Sequence, residues 1–181
     1  MLAGSGERFL PVPDGDAGSI ATLHRIAELV RLPDPFVDDF TDILSAATVE
    51  MSGGQEPPPV ELVRLVFEWG RSHMLYTPDR NDSDILDEIR TPGYLLKEID
   101  TFGAALGDCD DYVVLYGAIL YRLGFPVTLE AISREDDEIL DHIYLSTMVD
   151  GQRIALDGIV DFPFGWEVPD EEVTRRESLT V

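Results

Sequence analysis

One helix-length run constrains this chain more than any other feature. In the stretch GDCDDYVVLYGAILYRLGFPV, residues 107–127, positions 112–120 are Tyr, Val, Val, Leu, Tyr, Gly, Ala, Ile and Leu, with no charge among them. Asp108 is a good N-cap for a helix, and Gly124 followed by Pro126 marks its end. Asp111, three residues after Asp108, gives the start the form of a capping box. A helix that is apolar all round is buried on all sides, so the rest of the fold has to wrap around it. The chain's single cysteine, Cys109, stands at the mouth of this helix rather than inside the run. A core thiol has no reason to sit there; a thiol that does chemistry has one, because a helix N-terminus stabilises negative charge.

The residues ahead of this run read as helices. Pro11, Pro13, Gly15 and Gly18 punctuate an extended arm, 1–18. Ser19 can cap a helix from Ile20 to Arg31, with Leu23, Ile26, Ala27 and Val30 on one face. Asp34 caps a second helix with Pro35 at its first position and Phe36, Phe40, Ile43 and Leu44 as the expected buried stripe. A third helix spans 60–73, apolar at Leu62, Leu65, Val66 and Trp69. Thr91 and Pro92 then open a short helix through Ile99. After the central helix the period changes to two. PVTLEAIS and HIYLSTMV read as strands, and Asp150-Gly151 is a type I′ hairpin signal leading into QRIALDGI. The expected class is therefore α+β: a helical part over 19–100, then the Cys helix and a small antiparallel sheet over 101–167, then an acidic C-terminal tail, 168–181.

Charge excludes some functions. Asp and Glu number 36 against 13 Lys and Arg, a net charge of −23. Such a surface repels nucleic acid. It also suits a high-salt setting, where screening relieves self-repulsion. No apolar run reaches the roughly 18 residues of a membrane span, and the N-terminal residues lack the basic start and apolar stretch of a signal peptide.

Take Asp150-Gly151 as the two-residue turn of the hairpin. Val149 then faces Gln152, and Asp157 falls opposite Tyr144. His142 shares Tyr144's face, because side chains alternate, so Asp157 and His142 are diagonal neighbours within reach of each other. Ile143, Leu145, Val149, Ile154 and Leu156 line the other face, toward the core. A thiol, an imidazole and a carboxylate in the order Cys109, His142, Asp157 suit nucleophilic catalysis. The thiol attacks, the imidazole serves as base and then acid, and the carboxylate orients it. Asp110 and Asp111 beside the thiol oppose its ionisation.

With these residues in place, GDCDDYVVLYGAILYRLGFPV, DHIYLS and ALDGI resemble the core of the transglutaminase-like superfamily, whose fold is that of the papain-like cysteine proteases. The resemblance implies a nucleophile at Cys109, a base at His142 and an orienting carboxylate at Asp157, with no cofactor and no metal. The leading segments TLHRIAELVR, VFEWGRSHMLYTPD and EIRTPGYLL are similar to the transglutaminase-like proteins of tailed phages and prophages. That likeness implies a virion or host-cytoplasm setting. It carries two functions: a thiol hydrolase or acyltransferase acting on amide bonds of a protein or peptide, or a capsid, neck or tail component that reuses the fold to dock on virion proteins. In one respect the chain departs from the family: IDTFGAALG, upstream of the thiol, holds no Gln or Trp to complete an oxyanion hole, which leaves that task to backbone N–H groups.

Other candidates read more simply. His24 and His73 lie on helices as structural or surface residues. Asp136, Asp137, Glu138 and Asp141 lack the spacing of a Ca²⁺ loop and read as a solvated acidic turn. Asp108, Asp110 and Asp111 are helix-start residues, Trp69 packs in the core, and Trp166 pins the C-terminal segment. The arm, with Phe9 and Leu10, is expected to cross the domain's own surface or to lie against another subunit.

Overall fold

The apolar run forms helix α5, Cys109–Arg122, buried without interruption from Asp111 to Leu120. Four helices gather around it: α1 (Asp16–Arg31), α2 (Pro35–Met51), α3 (Pro59–His73) and α4 (Pro92–Phe102). This computed structural model describes residues 16–77, 89–134 and 140–181. The expected arm up to residue 15, the polar loop 78–88 and Asp136, Asp137 and Glu138 lie outside the described residues.

The remaining side of α5 is closed by a four-stranded antiparallel sheet of order β5-β4-β3-β6. Its strands are β3 (Val127–Ser133), β4 (His142–Val149), β5 (Gln152–Leu156) and β6 (Arg175–Thr180). The hairpin is as expected. Val149 faces Gln152 and Leu145 faces Leu156, and both turn residues have positive φ, 50° at Asp150 and 79° at Gly151, as a type I′ turn requires. A shorter parallel pair, β1 (Met74–Tyr76) with β2 (Ala105–Gly107), leads directly into α5. The α+β class read from the sequence is the class of the structure.

Several segments differ from expectation. Helix α1 begins at Asp16 rather than after Ser19, and the added turn carries a buried Gly18, so packing extends the helix past its apparent cap. On α2 the buried residues are Val37, Thr41 and Thr48, whereas Phe36 is 55% and Ile43 69% exposed. The threonines bury because their hydroxyls bond carbonyls of their own helix, Thr41 to Val37 at 3.0 Å and Thr48 to Ser45 at 2.8 Å. On α3 the buried residues are Val63, Val66, Phe67 and Gly70, of which only Val66 belongs to the expected stripe, while Leu62, Leu65 and Trp69 are only partly buried. Finally, the segment read as an acidic tail forms β6, which pairs Leu179 with Leu129 and Ser178 with Glu130 on the sheet. No helix among the described residues is long and apolar enough to cross a membrane.

Candidate active site

The first turn of α5 is capped from both directions. Asp108 accepts the Asp110 N–H at 3.2 Å, and the Asp111 carboxyl takes the backbone N–H of Asp108, completing the capping box read from the sequence. This fixes Cys109 as the first residue of the helix. Its part-buried thiol lies 3.8 Å from Asp110 Oδ1 and accepts the backbone N–H of Ile143. Ile143 is the second residue of β4, so the sulfur docks at the strand start that His142 opens.

His142 and Asp157 meet as the hairpin register requires. Both are buried, and His142 Nε2 lies 2.7 Å from Asp157 Oδ2. A carboxylate only accepts, so Nε2 carries the hydrogen and Nδ1 is left as the basic nitrogen. Among the described residues no hydrogen bond joins Cys109 to His142. Asp157 Oδ1 is the buried side-chain polar atom that has no partner among those residues. The turn after Asp157 is held to α5 by close contact: a β-carbon on Gly158 would come within 2.4 Å of the Tyr112 ring and 2.6 Å of the Tyr116 hydroxyl.

The electrostatics of the thiol oppose the expectation of a stabilised thiolate. Burial pushes the Cys109 thiol well above its ordinary range, and the Asp110 and Asp108 carboxylates push it further. The N–H groups of Ile143 and Asp110 act in the opposite direction and are outweighed. At rest the sulfur is therefore a neutral thiol.

Sequence reasoning missed the support around His142. The Tyr144 ring stacks beside the imidazole, with centroids 5.9 Å apart and planes 26° apart. The Tyr144 hydroxyl donates to Glu167 at 2.6 Å, and Glu167 also binds Arg153 and Arg176. The available signal was position: Tyr144 is two residues along the same strand face. His24 is exposed, and His73 stacks on Trp69 and bonds its carbonyl at 2.8 Å. Trp69 packs on Phe40, and Trp166 stacks on Phe162 against the outer face of the sheet. Asp141 is exposed, and no group of three or more potential metal ligands forms among the described residues.

No protein-family model and no curated protein sequence matches the chain. Among solved structures it is similar to a protein of Parabacteroides distasonis described as a "putative protease", with a TM-score of 0.52 and 17% identity over 83% of this chain and 27% of that one. The fold is protease-like. A "putative cysteine protease" of Cytophaga hutchinsonii matches at a TM-score of 0.47 and 15% identity, over 85% of this chain and 46% of that one. This chain thus spans less than half the length of either protein. Cys109 opens α5, His142 opens β4, and Asp157 follows the end of β5, the strand paired with β4.

Proposed function

We propose that the chain is a cysteine hydrolase or acyltransferase acting on amide bonds of a protein or peptide through a thioacyl intermediate on Cys109. One observation carries this reading. The His142–Asp157 bond at 2.7 Å commits Nε2 and leaves Nδ1 basic at the strand start where the Cys109 sulfur docks.

A neutral thiol sets the order of events. As Sγ attacks the amide carbonyl carbon, Nδ1 of His142 takes the thiol proton and the C–S bond forms. Asp157 holds the ring in the correct tautomer and stabilises the imidazolium. The N-terminus of α5 presents its positive end to the oxygen that becomes an oxyanion. When the intermediate collapses, the C–N bond breaks and His142 returns its proton to the leaving amine. Water, or a second amine, then attacks the thioester with His142 again as base, and the thiol is regenerated.

The reading is tested with p-nitrophenyl acetate, an activated ester that acylates catalytic thiols. A burst of p-nitrophenol and an acetylated Cys109 in the digested protein are expected, both lost in His142→Ala. A wild-type protein that acetylates no faster than free cysteine contradicts the reading. The second reading, a protein that keeps the fold without the chemistry, is favoured by the burial and the Asp110 and Asp108 carboxylates that push the thiol up; a virion role for it rests on the sequence resemblance alone. This reading expects the inert outcome.

A further inference from the structure

Arg90 stands just ahead of α4, and its side chain reaches both flanks of the Cys109 turn. Nη2 donates to the Leu106 carbonyl, three residues before the thiol, and to Asp111 Oδ2 at 2.5 Å, two residues after it. Nε and the Arg90 backbone N–H both donate to Asp111 Oδ1, at 3.4 and 3.3 Å. Nη1 donates to Glu98 on α4 at 3.2 Å, which anchors the guanidinium from behind. The turn inside this clamp is drawn tight. A β-carbon on Gly107 would meet Asp111 Cβ at 2.8 Å, Asp111 Oδ2 at 2.9 Å and the Met74 methyl at 2.9 Å.

The pair is largely out of water, with side-chain exposures of 16% for Arg90 and 5% for Asp111. A buried ion pair contributes little net stability compared with apolar residues of the same volume. Its physical distinction is direction: the planar fork of arginine holds its acceptors in fixed positions, which neither an apolar pair nor lysine does. Here those acceptors are the two ends of the segment that carries Cys109.

We propose that Arg90 is a positioning residue for Cys109, clamping residues 106–111 so that the sulfur and the first N–H groups of α5 meet a reacting carbonyl together. This rests on the hydrolase reading above.

The test compares two reactions of the same thiol in the full chain. Iodoacetamide alkylation displaces iodide and develops no oxyanion, whereas acylation by p-nitrophenyl acetate does. In Arg90→Lys, acylation is expected to fall about 100-fold, as for a small misplacement of reacting groups, while alkylation stays within a few-fold of wild type. Asp111→Asn is expected to show the same split, and the double variant to be no worse than the more damaged single, since both break one contact. Acylation by Arg90→Lys within a few-fold of wild type overturns the proposal. So does a parallel fall of both reactions in both variants, which marks a merely structural pair. A wild-type protein inert to the ester overturns the hydrolase reading and this proposal with it; an active wild type with unaffected variants overturns the clamp alone.

Discussion

The two faces of the sheet are made from the same strands and are built in opposite ways. Val127, Leu129, Ala131, Ile143, Leu145, Val149 and Leu156 belong to the core cluster that includes α5. The other face holds His142, Tyr144, Ser146 and Glu130, which are just as buried. There the polar groups satisfy one another: Glu130 accepts from Ser146 at 2.8 Å, Arg153 at 2.9 Å and Ser178 at 2.6 Å. Burial alone therefore does not separate the two faces; what is buried does. The inner face is apolar and non-directional, and it accounts for stability. The outer face is a directed network in which Glu130 and Glu167 are placed by their partners, and the His142 ring stacks on its Tyr144.

If that division is right, substitutions on the two faces fail in different ways. The largest effect is expected on the outer face and on chemistry. Asp157→Asn, which preserves volume but favours the wrong imidazole tautomer, should reduce acyl transfer on the order of 1,000-fold or more with little change in melting temperature. A loss of stability with acyl transfer intact would erase the distinction. On the inner face, Leu145→Ala is expected to cost about 3 kcal/mol in denaturant unfolding, because Leu145 is fully buried beneath α5. A cost under about 1 kcal/mol would show that the inner face is not the stabilising one.

The outer face should respond to acid. Burial pushes the Glu167 carboxyl up, but Arg153, Tyr144 and Arg176 outweigh it and hold the group at about 2, below its ordinary 4.5. The folded state thus keeps a carboxylate that the unfolded chain protonates. The stability this contributes is fully present above pH 4.5 and is lost as the pH falls toward 2. Glu167→Gln should flatten the pH dependence of unfolding in that window, and an unchanged slope would count against the network. Smallest of all, Ser178→Ala removes one hydroxyl from Glu130 and is expected to cost about 1 kcal/mol in the same unfolding assay.

The parts of this molecule that could be read in the sequence are those set by local chemistry. Asp150-Gly151 dictates its turn, the turn dictates the register, and the register brings Asp157 to His142. The uniformly apolar stretch from Tyr112 to Leu120 dictates a central helix. What stayed hidden depends on partners distant in sequence. Residues 175–180 pass for a tail because Arg175, Arg176 and Glu177 suggest solvent, yet Arg176 is bound by Glu167 and Asp170 and the strand is an edge. Thr41 and Thr48 read as polar but satisfy their hydroxyls within the helix and bury. The Arg90–Asp111 pair joins residues 21 apart in sequence, with no pattern linking them. The charge of the thiol was legible only in part: Asp110 beside it opposes ionisation, as the sequence indicated, while burial, the largest cause, is visible only in the fold.

In the proposed hydrolase Cys109, His142 and Asp157 act as one unit, which is measured most directly by the rate of Cys109 alkylation by iodoacetamide near neutral pH. Wild type, His142→Ala and Asp157→Asn are compared, with the labelled residue confirmed by mass spectrometry. If the imidazole takes the thiol proton, wild type should react on the order of 100-fold faster than His142→Ala, with Asp157→Asn between them. Equal rates in all three would show that the imidazole does not serve the thiol, and the hydrolase reading would fall.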